Sequence, residues 1–310
     1  LYAVQSDFAE LTTLEVPGAK AHSLAMNPGG TKLAVGMCGG STEELAIFSS
    51  ANGWGDPPQL LSNPQTEPQH LCSTAFSHDG RFLCAGYGPS HQFAIWDVEA
   101  AVCIRVIQTK ECHACAFSPA DDLLATGGDQ GNPVLVHELL PQQPLATYAL
   151  PGEAEQPLSA ACASDSVVVL ASGKRLAALA RSGGKVLWQT DAEGDIHCHH
   201  HPMALQPTGG QVAVCLQKLK SVSVRDLQTG KPLFQLGPFA GDLIGVYYSP
   251  DGSLLMVCGC TGLATEVFSA TTGEKLHTFV DKKSANIHNC AVDPSGKLLA
   301  TTGWDGTAFV

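Results

Sequence analysis

The stretch at 244–259, "IGVYYSPDGSLLMVCG", sets two apolar runs of strand length on either side of the short turn that contains Pro250 and Gly252. Proline presets the backbone for the first corner of a tight turn, and glycine accepts the positive φ that such turns require. Apolar runs of this length, separated by this turn, predict two antiparallel strands joined as a β-hairpin.

The same phrase recurs along the chain, at 21–36, 71–86, 112–127, 201–215 and 287–303. The residues at its turn position are Pro28, His78, Pro119, Pro207, Pro250 and Pro294. They lie 50, 41, 88, 43 and 44 residues apart, so the gap of 88 is two periods long. We therefore expect a further, degenerate hairpin near residues 160–175.

Each copy continues into a third and a fourth strand. The third ends in a pair of residues that stands 18 residues beyond the turn position in every copy but the first; the pairs begin at Phe48, Trp96, His137, Arg225 and Phe268. Turns such as "QTG" (228–230) and "TTG" (271–273) then lead into "PLFQLG" and "KLHTFV". Four antiparallel strands in roughly 41–44 residues match a β-propeller blade.

The segment "AIWDVEAAVCIRVI" (94–107), with its Trp96-Asp97 pair, and the recurring "FSPDG"-like turns resemble the WD-repeat family. The resemblance covers nearly the whole chain, although only this copy keeps the Trp-Asp pair. It implies a closed propeller that serves as an interaction platform, usually without catalysis.

The chain ends are predicted to complete one blade together. Residues 2–16 align with 93–107, so 1–16 are predicted to form two outer strands. Residues 17–284 hold six blades, and 285–310 supply two inner strands. The fold class predicted is therefore all-β, a seven-bladed β-propeller with four antiparallel strands per blade. Pairing of N- and C-terminal strands closes the ring, which leaves no free sheet edge between its ends. One conflict is left open, because "LYAV" and "TAFV" both fit the third-strand place.

The alignment also predicts two columns of core residues on the second strands. The first column is Leu33, Leu83, Leu124, Val212, Leu255 and Leu299, and the second is Ala34, Cys84, Ala125, Ala213, Met256 and Ala300. Small residues in the second column would let neighbouring blades pack closely face to face.

Histidine recurs at the entry to the innermost strand, six residues before the turn position, as His22, His113, His201 and His288. In the resembling family such a histidine joins a hydrogen-bond chain with a Ser or Thr on the second strand and an Asp in the next turn. The resemblance implies two such sets here, together with the Trp96-Asp97 pair: His113, Thr126 and Asp129, and His288, Thr301 and Asp305.

The entry face is also where we expect binding. Its loops are 37–43, 87–92, 128–133, 197–201, 217–221 and 303–306, and the candidate contact residues are His22, His113, His199, His201, His288 and Trp304. The long insertions 37–43 and 51–68 make the rim of the first blade the most distinctive feature. A rigid ring that displays loops loses little entropy on binding.

The segment "DIHCHHHP" (195–202) suggests the competing hypothesis of a metal-dependent binder or propeller enzyme. On an extended strand, His197, His199 and His201 could share one face and coordinate a transition metal. No complementary Cys or His pair accompanies them, and no catalytic motif is present. We therefore expect no cofactor and no catalytic residue, and the small-molecule substrate of an enzyme is not expected.

Composition indicates which classes of partner and which cellular compartment to expect. The net charge of −12 disfavours a nucleic-acid partner and favours a basic or neutral protein surface. No apolar run reaches the length needed to insert across a membrane. Most of the 12 cysteines lie in apolar runs, as expected for buried thiols in a reducing, cytoplasmic or nuclear, setting. The chain opens on Leu1 rather than Met, so it could be part of a longer multidomain protein. We expect a non-catalytic scaffold or adaptor, a subunit of a larger protein complex.

Overall fold

The computed structural model describes residues 2–3, 12–15, 20–38, 45–62, 71–88, 90–109, 112, 114–117, 121–127, 134–139, 144–148, 160–163, 166–196, 202–249, 251–259, 264–280, 287–293, 298–303 and 307–309. Over these ranges the chain is all-β, with one turn of 3-10 helix at Gln217–Leu219. None of the described segments forms a helix with the length and apolarity required to cross a bilayer.

Two short strands, β1 (Tyr2–Ala3) and β2 (Thr13–Glu15), precede a series of four-stranded sheets. Sheet 1 holds β3 (Lys20–Met26), β4 (Lys32–Cys38), β5 (Leu45–Ser49) and β6 (Gln59–Leu61). Sheet 2 holds β7 (Leu71–Phe76), β8 (Phe82–Tyr87), β9 (Gln92–Asp97) and β10 (Val102–Gln108). Sheet 3 holds β11 (Ala114–Phe117), β12 (Leu123–Gly127), β13 (Val134–Glu138) and β14 (Pro144–Tyr148).

The second half of the chain repeats the pattern. Sheet 4 holds β15 (Ala160–Ala163), β16 (Val167–Ser172), β17 (Arg175–Ala180) and β18 (Val186–Asp191). Sheet 5 holds β19 (Met203–Leu205), β20 (Gln211–Leu216), β21 (Ser221–Asp226) and β22 (Pro232–Leu236). Sheet 6 holds β23 (Leu243–Tyr248), β24 (Leu254–Gly259), β25 (Thr265–Ser269) and β26 (Lys275–Phe279). Sheet 4 lies where the doubled spacing predicts the degenerate copy.

A seventh sheet among the described strands, the terminal sheet, joins both ends of the chain. It contains β27 (Ile287–Val292), β28 (Leu298–Gly303) and β29 (Thr307–Phe309) with β1 and β2. β28 pairs with β27 on one side; on the other it pairs with β1 at Leu298–Leu299 and with β29 at Thr301–Thr302. The competition for the third-strand place is thus resolved by sharing, and β2 pairs with β29 beyond it.

In four copies the polar residue before the turn position caps the first hairpin. Asn27, Ser77, Ser249 and Asp293 each accept a hydrogen bond through a side-chain oxygen from the backbone N–H five residues later, at 2.7–2.9 Å. A short polar side chain supplies the acceptor that the turn backbone lacks. The recurrence of a polar residue at this point in the repeat therefore has a local cause.

The core lies between consecutive sheets, as the two predicted columns require. All six members of the first column are 0–1 % exposed, and every member of the second is buried. Apolar clusters span sheets 1 and 2, 2 and 3, 4 and 5, 5 and 6, and 6 and the terminal sheet. Leu14 and Ala300 of the terminal sheet also pack with residues of sheet 1. This stacking of antiparallel sheets is a β-propeller arrangement.

Candidate interaction surface

The loops between second and third strands share one end of the sheets with the linkers that lead into each innermost strand. This follows from the antiparallel order of the four strands, which reverses direction at every connection. We call this end the entry face. It includes the parts of the predicted binding loops that the structure describes, at 37–38, 87–88, 90–92, 217–221 and 303.

The predicted entry residues coincide with a break in strand pairing. In four innermost strands the register shifts around the entry position, at His22, Cys72, Ile244 and His288. A β-bulge redirects its side chain out of the regular alternation of the strand. The entry position is therefore a structural feature of the fold that histidine, cysteine and isoleucine can all occupy.

His22 links two sheets. Its Nδ1 lies 3.1 Å from the carbonyl oxygen of Leu71, at the start of the innermost strand of sheet 2, and its ring is partly buried. The other predicted entry and loop residues cannot be placed in this way. His113, Asp129, His197, His199, His201, Trp304 and Asp305 lie outside the described residues, and of His288 only the backbone is described.

Thr126 has a partner that the sequence did not indicate. Its Oγ1 lies 3.1 Å from Nε2 of His137, which occupies the position of Trp96 in sheet 3 and is buried. Burial, with a smaller contribution from the Arg105 charge, lowers the pKa of His137 to about 4. The imidazole is therefore neutral at physiological pH, and this pair supports the interior of sheet 3.

The Trp96-Asp97 pair divides between core and surface. Trp96 is buried in the cluster between sheets 1 and 2, and its Nε1 finds no hydrogen-bond partner within the described part of the chain. Asp97 accepts from the backbone N–H of Ala100 at 3.1 Å and from Nε of Arg81 at 3.2 Å. The Ala100 N–H, and to a lesser degree Arg81, lower the pKa of the Asp97 carboxylate. Asp97 therefore stabilises the turn that follows the third strand of sheet 2.

The sequence also gave no indication of a buried arginine. Arg225, in the position of Trp96, is 2 % exposed and donates from Nη2 to Oε1 of Glu193 at 2.7 Å and from Nη1 to the carbonyl of Gly230 at 2.9 Å. Glu193 belongs to the linker between sheets 4 and 5. Partial burial acts to raise the pKa of Glu193, but its own backbone N–H and Arg225 outweigh this, so the pKa is lowered.

Beside that linker the 3-10 helix Gln217–Leu219 raises an exposed apolar residue on the entry face. Leu219 is 44 % exposed and lies next to Gly194. Nζ of Lys218 lies 2.6 Å from Oδ2 of Asp195, and the Lys220 ammonium donates to the carbonyl of Ala240 at 3.4 Å. We name residues 217–220 the entry ridge. Lys218 is exposed and Lys220 is partly buried, and each contacts a neighbouring linker.

The entry ridge is hydrogen-bonded to sheet 6 and to the linker that precedes it. The backbone N–H of Leu243 in sheet 6 donates to Oε1 of Gln217 at 2.9 Å, and the backbone N–H of Phe239 donates to the carbonyl of Lys220 at 2.7 Å. Lys220 closes the turn in the left-handed region at φ 49°. These contacts join the ridge to the linkers on both sides.

The long insertion of the first copy contains an inward-facing aromatic residue. Trp54, within 51–68, is 8 % exposed and packs with Leu14, Leu24 and Leu33. Within the described residues no group of three or more His, Cys, Asp or Glu side chains is placed to bind a metal ion. The histidines that carry the metal hypothesis are outside that part of the chain.

Comparison with known proteins identifies one repeat. Residues 273–310 match the family model of the WD domain, G-beta repeat. The matched segment begins before β26, the fourth strand of sheet 6, and continues through β27, β28 and β29 of the terminal sheet. The sequence repeat therefore straddles two sheets. No curated protein matches the chain.

Proposed function

We propose that this β-propeller, which carries a WD repeat at residues 273–310, acts as a non-catalytic protein-interaction scaffold or adaptor within a larger protein complex. The observation that carries the proposal is the entry ridge: an exposed leucine held at a fixed place on the entry face between two linkers. WD40 propellers generally bind other proteins, and rigid presentation of such a residue fits that use.

The proposed scaffold is a closed ring of seven blades. The six four-stranded sheets and the terminal sheet would be seven blades, with 17–284 forming six of them. Residues 1–16 would supply the outer strands of the closing blade and 285–310 its inner strands. Pairing of β1 and β2 with β28 and β29 supports this arrangement, because each pair brings the two ends of the chain together.

The composition of the entry ridge suggests how a partner binds. Apolar residues surrounded by charged ones are typical of interface centres, where the rim excludes water from a buried anchor. Leu219 would be such an anchor, with the exposed Lys218 and Asp195 at its rim. The net charge of −12 favours a partner whose surface is basic or neutral overall. We place the complex in the cytoplasm or nucleus.

The proposal is tested by affinity co-purification from cell extract followed by mass-spectrometric identification and titration calorimetry with one purified partner. Leu219→Asp should weaken the partner's affinity at least tenfold, because a charge replaces the buried anchor. Leu233→Asp is the matched control: Leu233 is 50 % exposed but lies on the outer strand of sheet 5. Equal affinity for both variants would contradict the ridge as the binding site.

The metal-dependent alternative has its own test. Elemental analysis of untagged protein, with His199/His200→Ala as the comparison, measures whether the 195–201 segment retains a metal. Stoichiometric metal that the variant loses would favour the alternative. A chain that retains no specific partner in the extract would contradict the scaffold proposal.

A further inference from the structure

Two cysteines from different sheets meet in the core at the junction with the terminal sheet. Sγ of Cys258, on β24 of sheet 6, lies 2.9 Å from Sγ of Cys290, on β27. Both side chains are buried, at 0 % and 1 % exposure, among Ile244, Met256 and Leu299. The Cys258 thiol also lies 3.4 Å from Oγ1 of Thr265.

We propose that Cys258 and Cys290 are a cross-linking site, at which oxidation forms a disulfide that joins sheet 6 to the terminal sheet. A disulfide requires the two sulfur atoms at about 2.05 Å and side chains that already face each other. The thiols meet this second requirement. Their contact is between two sheets, so the bond would join the hairpin β23–β24 to the hairpin β27–β28.

The chemistry proceeds by thiol–disulfide exchange with a small disulfide such as oxidised glutathione. One cysteine thiolate attacks a glutathione sulfur; the glutathione S–S bond breaks, and one glutathione thiolate leaves and takes up a proton. The second cysteine, as its thiolate, then attacks the mixed disulfide at the protein sulfur and releases the second glutathione. Two protein thiols lose two electrons and two protons, and one oxidised glutathione becomes two reduced molecules.

Burial controls when the reaction occurs. Desolvation, together with the adjacent Cys258 thiol, raises the pKa of Cys290 well above its ordinary value. Exchange needs a thiolate and access for the oxidant, so the closed interface reacts slowly. The attack on glutathione should therefore occur when sheet 6 and the terminal sheet transiently separate, or during folding before the two sheets pack. Once the mixed disulfide forms, closure places the second thiol beside it.

The position of the bond gives it a structural consequence. The terminal sheet contains strands from both ends of the chain, β1 and β2 from the first and β27 to β29 from the last. A cross-link between residues 258 and 290 closes a loop that stays closed in the unfolded chain and so reduces its entropy. Oxidation should therefore raise the melting temperature of the purified chain by roughly 5 °C.

The test exposes reduced, full-length chain to oxidised glutathione, blocks remaining thiols by alkylation, and maps peptides without reduction. We expect the loss of two hydrogens, a linkage between the peptides of Cys258 and Cys290, and a rise in melting temperature that dithiothreitol reverses. Cys258→Ser should abolish both the linkage and the rise. Cys258→Val, which keeps an apolar side chain of similar size, serves if the serine variant does not fold.

Two matched controls make the assignment specific. Cys215 occupies the position of Cys258 in sheet 5 and is equally buried, and Cys260 lies on the same tryptic peptide as Cys258. Cys215→Ser and Cys260→Ser should each retain the linkage and the temperature shift. A linkage elsewhere, for example between Cys84 and Cys115, or a stable glutathione adduct at Cys258 in place of the linkage, would overturn the proposal.

Discussion

Sheets 2 and 5 fill the same position of the repeat in opposite ways. Trp96 in sheet 2 is packed among apolar residues, whereas Arg225 in sheet 5 is equally buried but bonded to Glu193 and to the carbonyl of Gly230. Both fix the end of a third strand. Trp96 does so by contact area alone, while Arg225 depends on one carboxylate from another part of the chain.

The comparison shows what the repeat requires at this position: a large side chain that spans the gap toward the neighbouring elements. Phe48, His137 and Phe268 occupy it in other sheets and are buried as well. A charged occupant is tolerated only where a partner exists, because an unpaired buried charge costs several kcal/mol. Sheet 5 therefore couples its stability to the linker that precedes the histidine-rich segment.

The largest effect on stability is expected from truncating Trp96, the residue that is packed among apolar side chains. Trp96→Ala should lower the free energy of unfolding by about 4 kcal/mol, because a large cavity opens between sheets 1 and 2. Trp96→Phe, which installs the residue of sheets 1 and 6, should cost less than half of that. Urea denaturation followed by circular dichroism measures both; equal losses would mean that contact area at Trp96 is not what stabilises the sheet.

Breaking the ion pair of sheet 5 should have the next largest effect. Glu193→Ala leaves the buried Arg225 without its carboxylate and should cost about 3 kcal/mol in urea denaturation. Arg225→Phe should cost less, since Glu193 is 38 % exposed and can turn toward water. If Arg225→Phe proved the more damaging change, the arginine would act through packing and not through its charge.

His137, which occupies the same position in sheet 3, should make the stability of the chain depend on pH. Because its pKa is lowered to about 4, the unfolded chain binds a proton more readily below about pH 6.5. Stability should therefore be lost as the pH falls from 7 to 5, by about 2 kcal/mol from this residue. The double variant His137→Phe/Thr126→Val should lose that share of the pH dependence, and an unchanged profile would show that His137 titrates normally.

The smallest effect is expected at the surface of sheet 2. Arg81 is largely exposed where it contacts Asp97, and Asp97 keeps the backbone N–H of Ala100 as a partner. Exposed ion pairs contribute little to stability. Arg81→Met should leave the melting temperature unchanged within error in differential scanning calorimetry, and a clear drop would indicate that the pair supports the turn.

Local patterns were enough to predict most strands. The polar residue, the turn and the two apolar runs of each hairpin act over a few residues, so "IGVYYSPDGSLLMVCG" could be interpreted without its neighbours. The buried columns from Leu33 to Leu299 followed from the shared register. The repeat singled out His22 as an entry histidine, but its contact with the carbonyl of Leu71 in the next sheet was not predicted.

By itself, the sequence determined the period, the four-stranded units, the core columns and the resemblance that the WD repeat at 273–310 confirms. Only the tertiary structure decided which distant residues meet: Arg225 with Glu193, Thr126 with His137, and Cys258 with Cys290. It also divided the pairing edge of β28 between β1 and β29. Strand patterns repeat because local turns and alternation repeat, whereas contacts between sheets depend on side chains brought together by packing, for which a repeat has no fixed spacing.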